Sequence, residues 1–335
     1  MKLLKLVPDD TNIKFLKWRI PFYVVSTLLI IASWGLVFTN GLNLGVDFVG
    51  GQQIQVTFTE SEQAPIAELR EEVASLGYGE PVIQRFGADN GVSIRFRLPP
   101  EVEEDAAAAD AMTSRVTGAI TDNFADARID DLSAVSGKVS GELFETAMFA
   151  LAIAMIAIAI YIWVRFEWQF GVGALYALVH DVSLTLGMFA LFQLEFDLKI
   201  IAAILTIIGF SLNDTIVLFD RIREELTLRP TAKLREVINL AINAVLTRSV
   251  LTSFTTLLAS VSLMLFGKGV INDIAFTFTI GIITGTFSSI FIASPVFYFW
   301  HKGDRRSVES SHDIVPEYDW QVSTKAASSG SGRSE

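Results

Sequence analysis

The chain has 335 residues, 51% of them hydrophobic and 19% charged, with a formal net charge of −11 and a mean hydropathy of +0.45. That composition excludes a soluble α/β enzyme, because the apolar residues come in blocks long enough to cross a bilayer. The chain has no cysteine, so it forms no disulfide and offers no thiolate to a metal.

Residues 1–19 form a short segment carrying Lys2, Lys5, Lys14, Lys17 and Arg19. After Arg19 the next charge is Asp47, 27 uncharged residues intervening. About 20 apolar residues suffice for a helical span, so 20–40 is expected to be a first transmembrane helix. The run is long for the apolar region of a secretory signal, and no small-residue cleavage site precedes Gly41, so it is read as a retained anchor.

Residues 41–141 are expected to form one domain outside the membrane. Between 39 and 141 lie 17 acidic and 7 basic residues, nearly the whole chain's negative excess. The pattern is β-α-β-β-α-β. Strands are expected near Gln53–Thr59, Val82–Phe86, Val92–Leu98 and Arg128–Val135. A helix is expected over Ala64–Leu76, closed by Gly77 and Gly79, and a second after Pro99-Pro100. Ala88-Asp89-Asn90-Gly91 reads as a hairpin turn. This order predicts a ferredoxin-like α+β domain between the first and second spans.

Five more spans are expected within 142–300, in apolar stretches bounded by Glu145 and Arg165, Glu167 and Glu195, Lys199 and Asp220, Arg248 and Lys268, and Asp273 and His301. A charged helical loop at about 221–239, with Pro230 near its start, links the fourth and fifth. The tail 301–335 is polar, ends in a Ser/Gly-rich run and reads as disordered. The fold class is therefore a polytopic α-helical membrane protein with six transmembrane helices. The N-terminal cations share one side with Arg165, Arg221, Arg223, Arg229, Lys233, Arg235, Lys302, Arg305 and Arg306, whereas the other side's short loops hold only Lys199 and Lys268. The positive-inside rule makes the first set, and both termini, cytoplasmic.

Charges inside the spans are the informative residues, since burying one in lipid costs a few kcal/mol or more. Asp181 follows His180 midway between Glu167 and Glu195. Asp214, between Asn213 and Thr215, precedes Asp220 by six residues, which sets it about 9 Å deeper. Arg248 is the only charge in the 31 residues between Glu236 and Lys268. Asp214 and Arg248 are expected to meet at one depth on antiparallel neighbours. Burial favours a neutral acid and a neighbouring guanidinium favours a carboxylate, so such a pair suits a proton switch. The bland alternative is a structural polar lock between helices. Gly281 and Gly285 give the sixth span a G-x-x-x-G face, which Ser288 and Ser289 extend and which reads as packing. Asp220 and Arg221 read as interfacial. No Walker loop, Rossmann glycine pattern or zinc-type His cluster is present, so no cofactor and no enzymatic activity are expected.

Residues 45–51 read Gly-Val-Asp-Phe-Val-Gly-Gly, 165–181 read RFEWQFGVGALYALVHD and 202–224 read AAILTIIGFSLNDTIVLFDRIRE. With TRSVLTSFTT at 247–256 and GTFSSIFIA at 285–293, these segments resemble the SecD/SecF family of protein-export membrane proteins, on its SecF side. One departure is Val135-Ser136-Gly137, where the family commonly has Val-Gly-Pro. The resemblance implies a subunit of the bacterial cytoplasmic (inner) membrane that works with SecD and the SecYEG channel, with YajC as a further partner, on a translocating preprotein. The energy source it implies is the proton motive force. A relay is expected on Asp214, Arg248, Asn213, Thr215, Asp181 and His180. Structural coupling to the external domain is expected through Asp47, Gly50, Gly51, Asp220 and Arg221. Nucleic acid is not an expected partner. Two other classes compete. A proton-driven exporter of the resistance-nodulation-division type would move small molecules or lipids, but usually carries two six-span halves. An intramembrane aspartyl protease needs two carboxylates sharing a proton, and its motifs, Tyr-Asp and Gly-x-Gly-Asp, are missing here.

Overall fold

The computed structural model describes residues 11–78, 81–86, 88–96, 106–267 and 270–301. Among the described residues, six helices are long and apolar enough to cross a membrane: Phe15–Asn40, Gly137–Arg165, Trp168–Phe192, Leu198–Leu228, Leu234–Phe266 and Val270–Trp300. In an 18-residue apolar stretch of each, 50%, 56% and 67% of residues are buried in the third, fourth and sixth, against 11%, 11% and 17% in the first, second and fifth. The first group is therefore the centre of the bundle and the second its rim. The fourth span shows why it is central. Ile200, Ile204, Ile207, Ser211, Thr215, Leu218, Ile222 and Glu225 recur at three- or four-residue steps and are all buried, which makes one continuous inward stripe.

Small residues let the helices close on one another. A side chain on Gly281 would meet Ile207 at 2.4 Å, and one on Gly285 would meet Ser211 at 3.0 Å, so the G-x-x-x-G face packs on the fourth span. A side chain on Gly187 would meet Ser33 of the first span at 2.2 Å. The sixth span is α-helical over Val270–Ser288, widens to a π turn over Ser289–Ala293 and resumes as Ser294–Trp300. Pro295, at the start of the last segment, has no N–H for the carbonyl four residues earlier, and such a proline disrupts the regular ladder just before it.

The external domain is a four-stranded antiparallel sheet of β2 (Gly51–Phe58), β3 (Val82–Phe86), β4 (Ala88–Phe96) and β5 (Ala127–Val135), in the order β3-β4-β2-β5. The helices Ile66–Ser75 and Ala106–Asn123 cover one face. Ile54, Val56, Phe58, Leu69, Val73, Val92, Ile94, Val116 and Ile120 form its core. That strand order is the expected ferredoxin-like arrangement.

The expected turn at 88–91 requires correction, because those residues belong to β4. Phe86 pairs with Ala88 while Arg85 pairs with Val92, a register shift that absorbs the intervening residues. Gly91 allows the bulge, since a side chain there would lie 2.2 Å from the Phe86 carbonyl oxygen. The Asn90 amide instead donates to the Phe58 carbonyl at 2.7 Å. The helix start at Pro99-Pro100, the expected tail beyond His301, Gly79 and the cations Lys2, Lys5, Lys268, Lys302, Arg305 and Arg306 lie outside the described residues.

The domain is tied to the bundle by a two-residue parallel bridge between β1 (Asn43–Leu44) and β6 (Glu195–Phe196). Arg95 of β4 donates to the Leu44 carbonyl and to Asn43, both at 2.6 Å.

Candidate functional site

Two carboxylates lie in the buried centre, each held by serine hydroxyls from neighbouring spans. Asp181, on the third span, is 1% exposed. Its Oδ2 accepts from Ser211 Oγ of the fourth span at 2.6 Å and from Ser288 Oγ of the sixth at 2.7 Å. Its Oδ1 lies 3.0 Å from His180 Nδ1. His180 is fully buried, and its Nε2 has no hydrogen-bond partner among the described residues.

Asp214, on the fourth span, is only partly buried. Its Oδ1 accepts from Ser249 Oγ of the fifth span at 2.5 Å, and its Oδ2 accepts from Ser289 Oγ of the sixth at 2.8 Å. Consecutive residues on a helix point about 100° apart, so Ser288 and Ser289 reach different neighbours from one spot on the sixth span. The π turn begins there, and such turns are frequent at functional sites. Ser211 and Asp214 are three residues apart on the fourth span: Ser211 shares Asp181 Oδ2 with Ser288, and Asp214 accepts from Ser289 directly.

Ser288 and Ser289 each have a second acceptor. Their hydroxyls lie 3.1 Å from the carbonyls of Gly285 and Thr286 respectively. A serine hydroxyl donates once and accepts on its lone pairs. Either serine can therefore donate to a carboxylate, or turn its proton onto its own helix and accept from a carboxyl.

Several expectations about residues change. Asp214 and Arg248 do not meet: Ser249 occupies the expected place and Arg248 is exposed on the fifth span. The depth was right and the azimuth wrong by one residue. Asn213 is exposed, Thr215 is buried, and neither bonds either carboxylate. Asp220 pairs with Arg165 at 3.1 Å, whereas Arg221 pairs with Glu224 at 2.6 Å and the buried Glu225 at 2.5 Å. Ser288 and Ser289 extend the small face but are also hydrogen-bond donors to the site. Ser211 and Ser249 were not anticipated. Their only sequence signal was proximity, three residues before Asp214 and one after Arg248.

The coupling segment is built around the start of the fourth span. Asp47 Oδ2 accepts from the Leu198 N–H at 3.1 Å, and Asp197 accepts from the Ile200 N–H at 2.9 Å. Two carboxylates thus cap the helix that carries Asp214, where N–H groups lack internal partners. Gly50 has φ +76°, and a side chain on it would lie 2.9 Å from Gly137 Cα at the start of the second span. Glycine is required there twice over, for its backbone and for its closeness. Gly51, at φ +114°, opens β2.

Glu195 accepts from the Gln53 amide at 2.6 Å and sits among Arg95, Asp197, Lys199 and Asp273. Burial raises its pKa, with the Asp197 charge adding to the rise and Arg95, Gln53 and Lys199 opposing it. Asp197 is raised too, chiefly by burial. The docked state thus holds the Glu195 proton more tightly than a free glutamate does. Docking through Glu195 is strongest below the ordinary glutamate range and weakens as pH rises through the raised value. After correction for intrinsic rates, exchange protection of the Gly45 amide, which donates to the Phe196 carbonyl at 2.9 Å, is expected to fall with rising pH. Glu195→Gln, which cannot ionise, is expected to flatten the profile; an unchanged profile in that variant would remove Glu195 as the cause.

Family comparison places the same segments in known proteins. Residues 115–303 match the model for "Protein export membrane protein SecD/SecF, C-terminal", and residues 35–62 match the SecD/SecF GG motif. Protein translocase subunit SecF of Rhodobacter capsulatus is 42% identical over 309 residues, covering 88% of this chain and 91% of its own length. The SecF of Calditerrivibrio nitroreducens is 42% identical over 299 residues, covering 89% and 97%. The crystal structure of SecDF, a translocon-associated membrane protein from Thermus, superposes with a TM-score of 0.78 at 31% identity over 89% of this chain. The chain spans 40% of the length of that solved protein. A second SecDF structure, in a super-membrane-facing form, matches with a TM-score of 0.63.

Proposed function

Since this chain belongs to the SecD/SecF protein-export family as a multi-pass inner-membrane translocase subunit, we propose that it works with SecD beside the SecYEG channel and uses the proton motive force in late preprotein translocation. YajC is a further partner in this reading, and both termini are cytoplasmic. The observation that carries the proton step is the pair of aspartates joined through Ser288 and Ser289.

Protonation of Asp214 turns one of its hydroxyl donors into an acceptor. Ser289 then turns its hydrogen bond onto the Thr286 carbonyl and accepts from the Asp214 carboxyl, and the fourth, fifth and sixth spans repack locally. Arg248 immediately precedes Ser249 on the fifth span, so a partial rotation of that helix brings the guanidinium toward an ionised Asp214. The two pairings, Asp214 with Ser249 and Asp214 with Arg248, make a two-state element. Its motion reaches the external domain through the Asp47 cap on the fourth span and the Gly50–Gly137 contact.

The energies suit a ratchet. A charge crossing about 100 mV yields about 2.3 kcal/mol, and one pH unit adds about 1.4 kcal/mol. A bias of roughly 3–4 kcal/mol shifts a two-state population strongly but does not unfold a stable domain in one step. The exporter alternative has no observation in its favour.

The test uses inverted inner-membrane vesicles in which ATP-driven translocation has been halted partway. Vesicles containing the chain are expected to complete export only with a proton gradient, and vesicles lacking it are not. Cysteines placed at Thr227 and Asp89 report orientation in the same vesicles: Thr227 is expected to be labelled from outside and Asp89 to be protected. Equal completion with and without the chain, or the reverse labelling, would refute the reading.

A further inference from the structure

A cavity of about 930 Å³ opens where the chain enters the first span, its described lining including Lys14, Lys17, Arg19, Arg235 and Glu236 together with neutral polar residues and Leu240. Among the described lining residues, Lys14, Lys17 and Arg19 bring three cations from the entry segment to one end of the cavity. Its wall is built. Asn243 exchanges two hydrogen bonds with the Ile13 backbone, at 3.0 and 2.9 Å, and Asn239 accepts from the Leu16 N–H at 3.0 Å. These two asparagines, one turn apart, pin the entry segment against the fifth span. Arg19 is fixed as well, donating to the Leu16 carbonyl at 3.0 Å with its guanidinium 5.2 Å from the centre of the Tyr298 ring.

The cavity lies at headgroup depth. The first and fifth spans start on the same side of the membrane, and both starts line it. The fifth helix has 33 residues, about 50 Å of helix against a hydrocarbon core of about 30 Å. Arg248 is the only charge between Glu236 and Lys268, so the roughly 20 Å by which the helix exceeds the hydrocarbon core lies at its charged start, around Arg235 and Glu236. Beside the charged cavity Ile13, Trp18 and Ile20 are 45%, 57% and 65% exposed. A free anion has no use for that apolar rim, whereas an amphiphile matches both parts. Basic pockets between helices at this level bind anionic lipid headgroups, and the first turns of a helix add partial positive charge.

We propose that this cavity is a binding site for an anionic phospholipid, whose phosphate sits among Lys14, Lys17 and Arg19 and whose acyl chains lie along Ile13, Trp18 and Ile20. The lipid fastens the entry segment to the fifth span, the helix that carries Arg248 and Ser249.

The test is brominated-lipid quenching of the full chain in phosphatidylcholine vesicles, with the Trp18 signal obtained as wild type minus Trp18→Phe. At equal bromine content, brominated phosphatidylglycerol is expected to quench Trp18 several-fold more effectively than brominated phosphatidylcholine. Lys14 and Lys17 are exposed, so Lys14→Gln and Lys17→Gln are expected to leave the fold intact. Each is expected to remove most of the preference, since about 1 kcal/mol per basic residue near an anionic surface corresponds to about fivefold. Millimolar inorganic phosphate at constant ionic strength is expected to leave quenching unchanged. Equal quenching by the two lipids, or an unaltered preference in the double lysine variant, would overturn the proposal. Displacement by free phosphate would overturn the lipid assignment in favour of a soluble anion.

Discussion

Asp214→Asn is expected to leave the chain folded and assembled while abolishing the gradient-dependent part of export. The amide matches the carboxylate in shape, its oxygen accepts from one serine and its NH₂ donates to the other. Ser249 and Ser289, at 2.5 and 2.8 Å, therefore keep their partners. What disappears is the change of charge. Losing a bias of roughly 3 kcal/mol lowers the driven population by about a hundredfold, so export is expected to drop to the level seen without a gradient. The double variant Asp214→Asn with Arg248→Met sharpens the result. If Arg248 serves only to neutralise Asp214, removing both charges restores function, because no buried charge is left unpaired. The switch reading expects the double variant to assemble and stay inactive. Gradient-dependent export by either variant, at matched protein levels, would place the proton step elsewhere.

The largest effect on stability is expected at Asp181. Its carboxylate is the shared acceptor for Ser211 and Ser288 and lies against His180 Nδ1, all buried. Asp181→Ala removes the partner of three polar side chains in a buried site. A buried group left unpaired costs about 1–3 kcal/mol, and Ser288 can fall back on the Gly285 carbonyl. The net loss is expected to be about 3 kcal/mol, seen as a lower midpoint in detergent thermal unfolding and a reduced steady-state level. Asp181→Asn retains one acceptor and gains a donor that the serines can match by rotating, so it is expected to stay within about 1 kcal/mol of wild type. An alanine variant as stable as wild type would mean the network is not holding the three spans together. An asparagine variant as unstable as alanine would mean that the charge itself, and not the hydrogen bonding, is structural.

The departure at Val135-Ser136-Gly137 is accounted for by the packing. Ser136 caps the second span by accepting from the Val139 N–H at 3.4 Å, and Gly137 admits the backbone of Gly50. The small residue therefore belongs to a contact between the external connection and the bundle. Arg165–Asp220 is half-exposed on both sides, and a pair in that setting adds little to stability.

Much of this protein was legible in the sequence because its solvent imposes a simple code. Backbone groups in hydrocarbon must bond within their own helix, so six apolar runs mean six spans wherever they pack. In the external domain, alternation in Ile54, Val56 and Phe58 and the helix-closing Gly77 are local signals of local structure. Asp181 and Asp214 were legible for the same reason, since charges so costly in lipid are rarely idle. What the sequence lacked was azimuth. A 100° step separates Arg248 from Ser249, and only the packing of the fifth span on the fourth decides which of them meets Asp214. The same holds for Ser288 and Ser289, which as residues are merely small and as neighbours link two carboxylates on different helices. The bulge at Gly91 and the Asp47 cap on the fourth span belong to this class too, since each partner is set by how distant segments close together. Hydropathy, period and charge are properties of a chain read in one dimension. Which hydroxyl faces which carboxylate is a property of rotation about helix axes, and that is fixed only when the spans pack.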